Sequence, residues 1–74
     1  MRLFVDYTNW KGHRAWREII PQSIEVARVP IGEATYEYTF VLHVAMIDKD
    51  GARRTLRLDH ILGFSTNPNV LPQT

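Results

Sequence analysis

From Tyr36 to Ile47 the chain is dense in β-branched and aromatic residues and contains neither glycine nor proline. Such a run suits the pleated, half-buried surface of a strand. Its even positions, Tyr36, Tyr38, Phe40, Leu42, Val44 and Met46, are all apolar or aromatic. The odd positions mix Glu37, Thr39 and His43 with Val41, Ala45 and Ile47. Period two predicts a strand whose even face is core. Asp48, Lys49, Asp50 and Gly51 then read as a hairpin turn, and Ala52 to Leu58 as the returning strand.

The register of this hairpin decides which side chains share a face. A two-residue Asp50-Gly51 loop sets Val44 against Arg57 and Met46 against Thr55, pairing core side chains with polar ones. A three-residue loop, Lys49 to Gly51 with Gly51 left-handed, sets Val44 against Leu56 and Leu42 against Leu58. The second choice is preferred. It predicts a reverse face with His43 opposite Arg57, Ala45 opposite Thr55 and Ile47 opposite Arg53, partly apolar and basic.

Upstream, Leu3, Val5 and Tyr7 alternate with Arg2 and Asp6 in a first strand. Asn9 to Gly12 reads as a turn, with a strand resuming near Arg14. Pro21 cannot donate a ladder hydrogen bond, so it is expected at an edge or as a break between Arg14–Ile20 and Gln22–Val29, and the break is favoured. Pro30, Gly32 and Glu33 make the next turn. A brief helical turn is expected over Asp59 to Leu62. About five short strands and no long helical pattern predict an all-β fold, a small five-stranded barrel of SH3-like (Sm-like) or OB-like kind with a short helical turn near its C-terminal end. Closure would also remove exposed sheet edges.

At 74 residues there is room for one core, so a single domain over residues 1–64 is expected, followed by a loosely held polar tail over 65–74. So short a chain buries only about 60% of its unfolded surface, and homodimerisation is one way to bury more. Cysteine is absent, which excludes disulfides and thiolate zinc sites. Met1 to Val5 does not look like a secretory leader, and no segment approaches the roughly 20 apolar residues of a membrane helix, so a cytoplasmic protein without membrane contact is expected. Nine Lys and Arg against eight Asp and Glu leave a formal charge of +1, too little to argue for nucleic acid. The clustering of Arg53, Arg54 and Arg57 near His60 says more.

The residue pattern resembles one known family. Val5, Tyr7, Asn9, Gly12, Arg17, Ile19 and Pro21 resemble the opening of WYL domains. Phe40, Val41 and Leu42 fall where that family has its Trp, Tyr and Leu, followed by Ala45, Asp48 and Gly51. Arg54, Thr55, Leu56, Arg57, Leu58, Asp59, His60 and Ile61 then resemble the family's Arg-Thr-Phe-x-Leu-x-x-Ile segment. The resemblance covers roughly residues 3 to 64. It departs at Phe40, at Val41 and at His60, which stands where an Arg is frequent. It implies an SH3-like fold and a regulatory module that binds nucleic acid or a small ligand through a basic surface to which Arg54 and Arg57 belong. WYL domains usually accompany a DNA-binding domain; without one here, regulation is expected to act in trans or through assembly.

Among candidate constellations, Arg57 with Arg54, His43, Thr55 and His60 forms the expected ligand surface, since guanidinium forks match phosphate oxygens and His adds a tunable donor. The plain alternative is a set of solvated strand residues. Trp10 and Trp16 lie among Lys11, His13, Arg14 and Arg17, a pattern known from surfaces that stack single-stranded bases. With Tyr36 and Tyr38 they are equally candidates for a protein interface or, for the tryptophans, covers of a barrel end. His13, His43 and His60 lack metal-ligand spacing, and no nucleophile elbow, phosphate loop or paired carboxylates suggest catalysis. The expectation is a non-catalytic module without cofactor or metal that recognises nucleic acid or a phosphate-bearing small molecule. The alternative is a module that homodimerises or binds a protein partner through exposed aromatics.

Overall fold

The computed structural model describes residues 2–69. Five strands, β1 (Leu3–Thr8), β2 (Arg14–Gly32), β3 (Thr35–Met46), β4 (Ala52–Arg57) and β5 (Ile61–Ser65), form one antiparallel sheet in the order β4-β3-β2-β1-β5. The fold is all-β. One-turn 3-10 segments link β3 to β4 (Ile47–Lys49) and β4 to β5 (Leu58–His60). No ladder joins β4 to β5 among the described residues, so the backbone pairing leaves the sheet open.

Tight turns follow from particular side chains. The Asn9 backbone carbonyl accepts from Gly12 N at 2.9 Å, and its side-chain Oδ1 accepts from the N–H groups of Lys11 and His13 at 2.9 and 3.0 Å. Asn leads this four-residue turn and Gly12, at φ +82°, ends it. Trp10, second in the turn, is therefore thrown outward and is 85% exposed.

The core gathers Val5, Ile19, Leu42, Val44, Met46 and Leu56, with Leu3, Tyr7, Leu58 and Ile61 packed against it. Only half of the even face of β3 belongs to it. Leu42, Val44 and Met46 are buried, but Tyr36, Tyr38 and Phe40 are exposed. The reason is length. The β1 ladder on β2 ends at Leu3↔Ile19, and the β4 ladder on β3 ends at Val41↔Arg57, whereas β2 and β3 stay paired out to Gly32↔Thr35. From Val26 to Phe40 the two strands form an arm with no third strand beside them, which gives the molecule its 43 × 23 × 21 Å extents.

Four sequence expectations are corrected. Pro21 does not divide β2: it pairs opposite Val44, two residues past the end of the β1 ladder, and a bulge at Gln22 resets the register between Pro21 and Ser23. The turn at the arm tip is Glu33-Ala34, with Pro30 still paired to Tyr36. The helical turn lies at Leu58–His60, and Ile61–Ser65 form a strand on β1, so the sheet reaches into the segment expected to be tail; residues 70–74 of that tail lie outside the described residues.

The fourth correction is the β3–β4 register. Leu42 stands opposite Leu56, His43 opposite Thr55, Val44 opposite Arg54 and Ala45 opposite Arg53, two residues from the expected pairing. The 3-10 turn with Asp50 and Gly51, both left-handed at φ 56° and 77°, makes the connection longer than three residues. A slip of two preserves parity, so each residue keeps its face while its partner changes.

Candidate functional site

Two clusters of polar side chains occupy opposite faces of the sheet. On the outer face, Thr55 Oγ1 lies 3.0 Å from His43 Nδ1, and His43 Nε2 meets the Glu25 carboxylate. Next to them, Arg57 donates from Nε and Nη2 to Asp59 at 2.9 and 2.6 Å, and from Nη2 to Glu37 at 2.7 Å. These hydrogen bonds raise the Arg57 pKa and lower that of Asp59. One guanidinium held by two carboxylates leaves a local excess of negative charge. Arg57 is thus a structural cross-link from β4 to the base of the arm.

On the core face the open end of the sheet is concave. Met46 and Leu56 form its floor, Tyr7, Asn9 and Trp10 one wall, and Arg17, Lys49, Arg54, Thr55 and His60 complete a mouth of about 420 Å³. Through Tyr7, Asn9, Arg17 and Lys49 this mouth adjoins a groove of about 660 Å³ that runs past Gly12, His13 and Arg14. Such dimensions suit a small ligand. Tyr7 faces His60 with ring centroids 6.3 Å apart, and burial pushes the Tyr7 hydroxyl pKa up, so it stays a neutral donor. Lys11 Nζ sits 5.2 Å from the centroid of Trp10.

The charge of this mouth is one-sided. No carboxylate is among the residues that line it, and Asp48 lines the adjoining groove, where it pairs with Arg17. Arg17 is paired with Asp48 at 2.6 Å, which also ties the 3-10 turn to β2. The Arg54 guanidinium donates to the Arg53 carbonyl at 2.8 Å, and neither Arg54 nor Lys49 has a carboxylate partner among the described residues. Two cations without a carboxylate partner thus stand beside an exposed indole and above an apolar floor, an arrangement whose chemistry would suit an anion with a flat hydrophobic part.

The expected site residues are therefore divided. Arg54, His60 and Trp10 meet at the mouth, His43 and Arg57 lie on the outer face, and Thr55 borders both, its hydroxyl 3.0 Å from His43; Arg54, Thr55 and His43 also line a second hollow of about 440 Å³ with Gln22, Ser23 and Arg53. Trp16 stands opposite Asp6 on that outer face, half-buried, its indole edge 3.9 Å from where a Cβ on Gly63 would stand. Tyr36 and Tyr38 belong to the arm, far along the sheet from the mouth. Sequence reasoning missed Tyr7 and Lys49, and named Arg17 only among the basic neighbours of the tryptophans. Arg17 stands opposite Val5, so it emerges on the core face beyond the packed residues, and the parity of Val5 was the signal that could have found it.

Among the described residues no group of three His, Asp or Glu side chains is placed to hold a metal ion, and no helix is long and apolar enough to cross a membrane. The chain matches no protein-family model, no curated protein and no solved structure.

Proposed function

We propose that this chain is a non-catalytic, WYL-like binding module that recognises a nucleic acid or a nucleotide-like phosphate ligand at the mouth between Trp10, Lys49, Arg54 and His60. The observation that carries this reading is the lining of the mouth: cations from three segments, an exposed tryptophan, and no carboxylate. Phosphate oxygens would accept from Arg54 and Lys49 while a base stacks on Trp10. Its architecture is proposed to be an SH3-like barrel. In support, the two edge strands β4 and β5 are consecutive in the chain and joined through a single 3-10 turn, the connection closure needs. The module is proposed to be regulatory and cytoplasmic.

Calorimetric titration with a panel of mononucleotides and short single-stranded DNA and RNA tests the reading. Saturable binding that weakens in both Arg54→Ala and Trp10→Ala is expected. Binding that survives both substitutions unchanged would place the ligand elsewhere.

A further inference from the structure

The arm presents an apolar face on which no other described residue packs. Ile24, Val26 and Arg28 on β2 stand opposite Leu42, Phe40 and Tyr38 on β3, so these side chains continue the core face outward beyond the core. Val26 and Phe40 are each more than half exposed, and Tyr38 is 74% exposed. Arg28 is the one charged residue in this stripe, and its guanidinium carbon lies over Tyr36, 4.4 Å from the ring centroid. A two-stranded hairpin is at best marginally stable alone in water, so an arm this long gains most from a cover.

We propose that the cover is a second copy of this chain, with two arms packed face to face and antiparallel in a two-fold dimer. Area supports it. From the exposures of Ile24, Val26, Tyr36, Tyr38 and Phe40, each copy offers ~600 Å² of mostly apolar surface. Two copies together bury ~1,200 Å², the lower end of stable interfaces. Shape supports it as well, because antiparallel arms carry the two bodies to opposite ends. Charge then places the axis. A two-fold through Arg28 would bring like charges together, whereas one through the Val26–Phe40 pair sets each Arg28 against the partner's exposed, apolar Ile24. The two guanidinium-bearing positions are then ~14 Å apart at a strand rise of ~3.4 Å per residue, beyond the screening length of ~8–10 Å. This dimer does not depend on what the mouth binds.

Sedimentation velocity of the wild-type chain from about 5 to 200 µM is expected to show a monomer–dimer equilibrium that persists in about 0.5 M NaCl, as an apolar interface requires. Phe40→Asp puts a charge beside its own copy at the axis and is expected to give monomer throughout, with the far-UV circular dichroism of the body retained. Trp10→Ala is expected to leave the dimer intact. Since Phe40→Asp could instead loosen the arm, a second measurement uses the absence of native cysteine: Val26→Cys is expected to cross-link to a covalent dimer with a short bis-maleimide, and Lys11→Cys is not. A wild-type chain that stays monomeric to about 200 µM, a dimer indifferent to Phe40→Asp, or cross-linking through Lys11→Cys in place of Val26→Cys would overturn the proposal.

Discussion

Arg54 stands opposite Val44 across the β3–β4 ladder and therefore emerges on the core face, where its guanidinium meets the Arg53 carbonyl at 2.8 Å and no carboxylate among the described residues. Arg57, three residues along the same strand, takes the other face and is held by Glu37 and Asp59. Two arginines of similar sequence context thus have opposite availability, because strand parity puts them on opposite faces and Glu37 and Asp59 stand on the face of Arg57.

The first prediction separates them. Arg54→Ala is expected to weaken ligand binding at least tenfold, the effect of losing a charge-assisted hydrogen bond worth ~1.5–3 kcal/mol. Arg57→Ala is expected to leave affinity within about twofold, while lowering the thermal midpoint because Glu37 and Asp59 are left facing each other. Paired titrations and thermal melts of the two variants check this.

The tryptophans should divide in the same way. Trp10→Ala removes an exposed ring from a turn and is expected to cost about tenfold or more in affinity, at ~1–3 kcal/mol per stacked base, with no loss of thermal stability. Trp16→Ala opens space beside Gly63 and is expected to lower the melting temperature while affinity holds. Melting and binding measured on the same preparations distinguish the two roles.

Acid sensitivity follows from Asp6. Its carboxylate is nearly closed off from solvent and accepts three hydrogen bonds from Arg14, the shortest 2.6 Å, which hold its pKa below the usual range. Because the folded pKa lies below the unfolded value of about 3.9, the pair's contribution is complete above about pH 5. It is lost as pH falls through the folded value. The lowered pKa values of Glu18 beside Arg2 and of Asp59 beside Arg57 act with the same sign. Asp6→Asn is expected to melt about 5 °C lower at neutral pH and to approach the wild type as pH falls below the usual carboxylate range, as read by melts across the pH range.

The arm tip carries its own strain. Ala34 has φ 56°, a left-handed conformation that costs a residue with a Cβ ~1–2 kcal/mol. Ala34→Gly is expected to slow hydrogen exchange of the arm amides severalfold and to leave the global melting temperature nearly unchanged, because the arm opens separately from the core.

What could be read from the sequence was set by periodicity. The strand Tyr36–Ile47, its apolar even face and the return strand after Gly51 all follow from alternation with period two, and the structure retains that parity. The β3–β4 register did not follow, because a slip by two satisfies the same alternation, and only the 3-10 turn at Ile47–Lys49 distinguishes the alternatives. Alternation also says nothing about how far a neighbouring strand extends. Tyr38 and Phe40 have the same pattern as Val44 and Met46, yet β1 and β4 end before reaching them. The β5 strand was hidden for another reason: Gly63 interrupts a run of only five residues, whose one-residue shift between Asp6 and Tyr7 spoils its alternation. For the site, Arg54, Thr55, His60 and Trp10 were legible as residue types. That Arg57 would be neutralised was not, because Glu37 comes to it from twenty residues away in the chain.

The central claim is that the mouth beside Arg54 binds phosphate. Fluorescence anisotropy of a labelled single-stranded oligonucleotide, titrated with wild-type and Arg54→Ala protein over a range of salt concentrations, tests it most directly. With two free cations at the mouth, the log-log slope of affinity against salt is expected to be about −1.4, and Arg54→Ala is expected to reduce its magnitude by about 0.7. Absence of saturable binding, or a slope that Arg54→Ala leaves unchanged while Arg57→Ala alters it, would contradict the account.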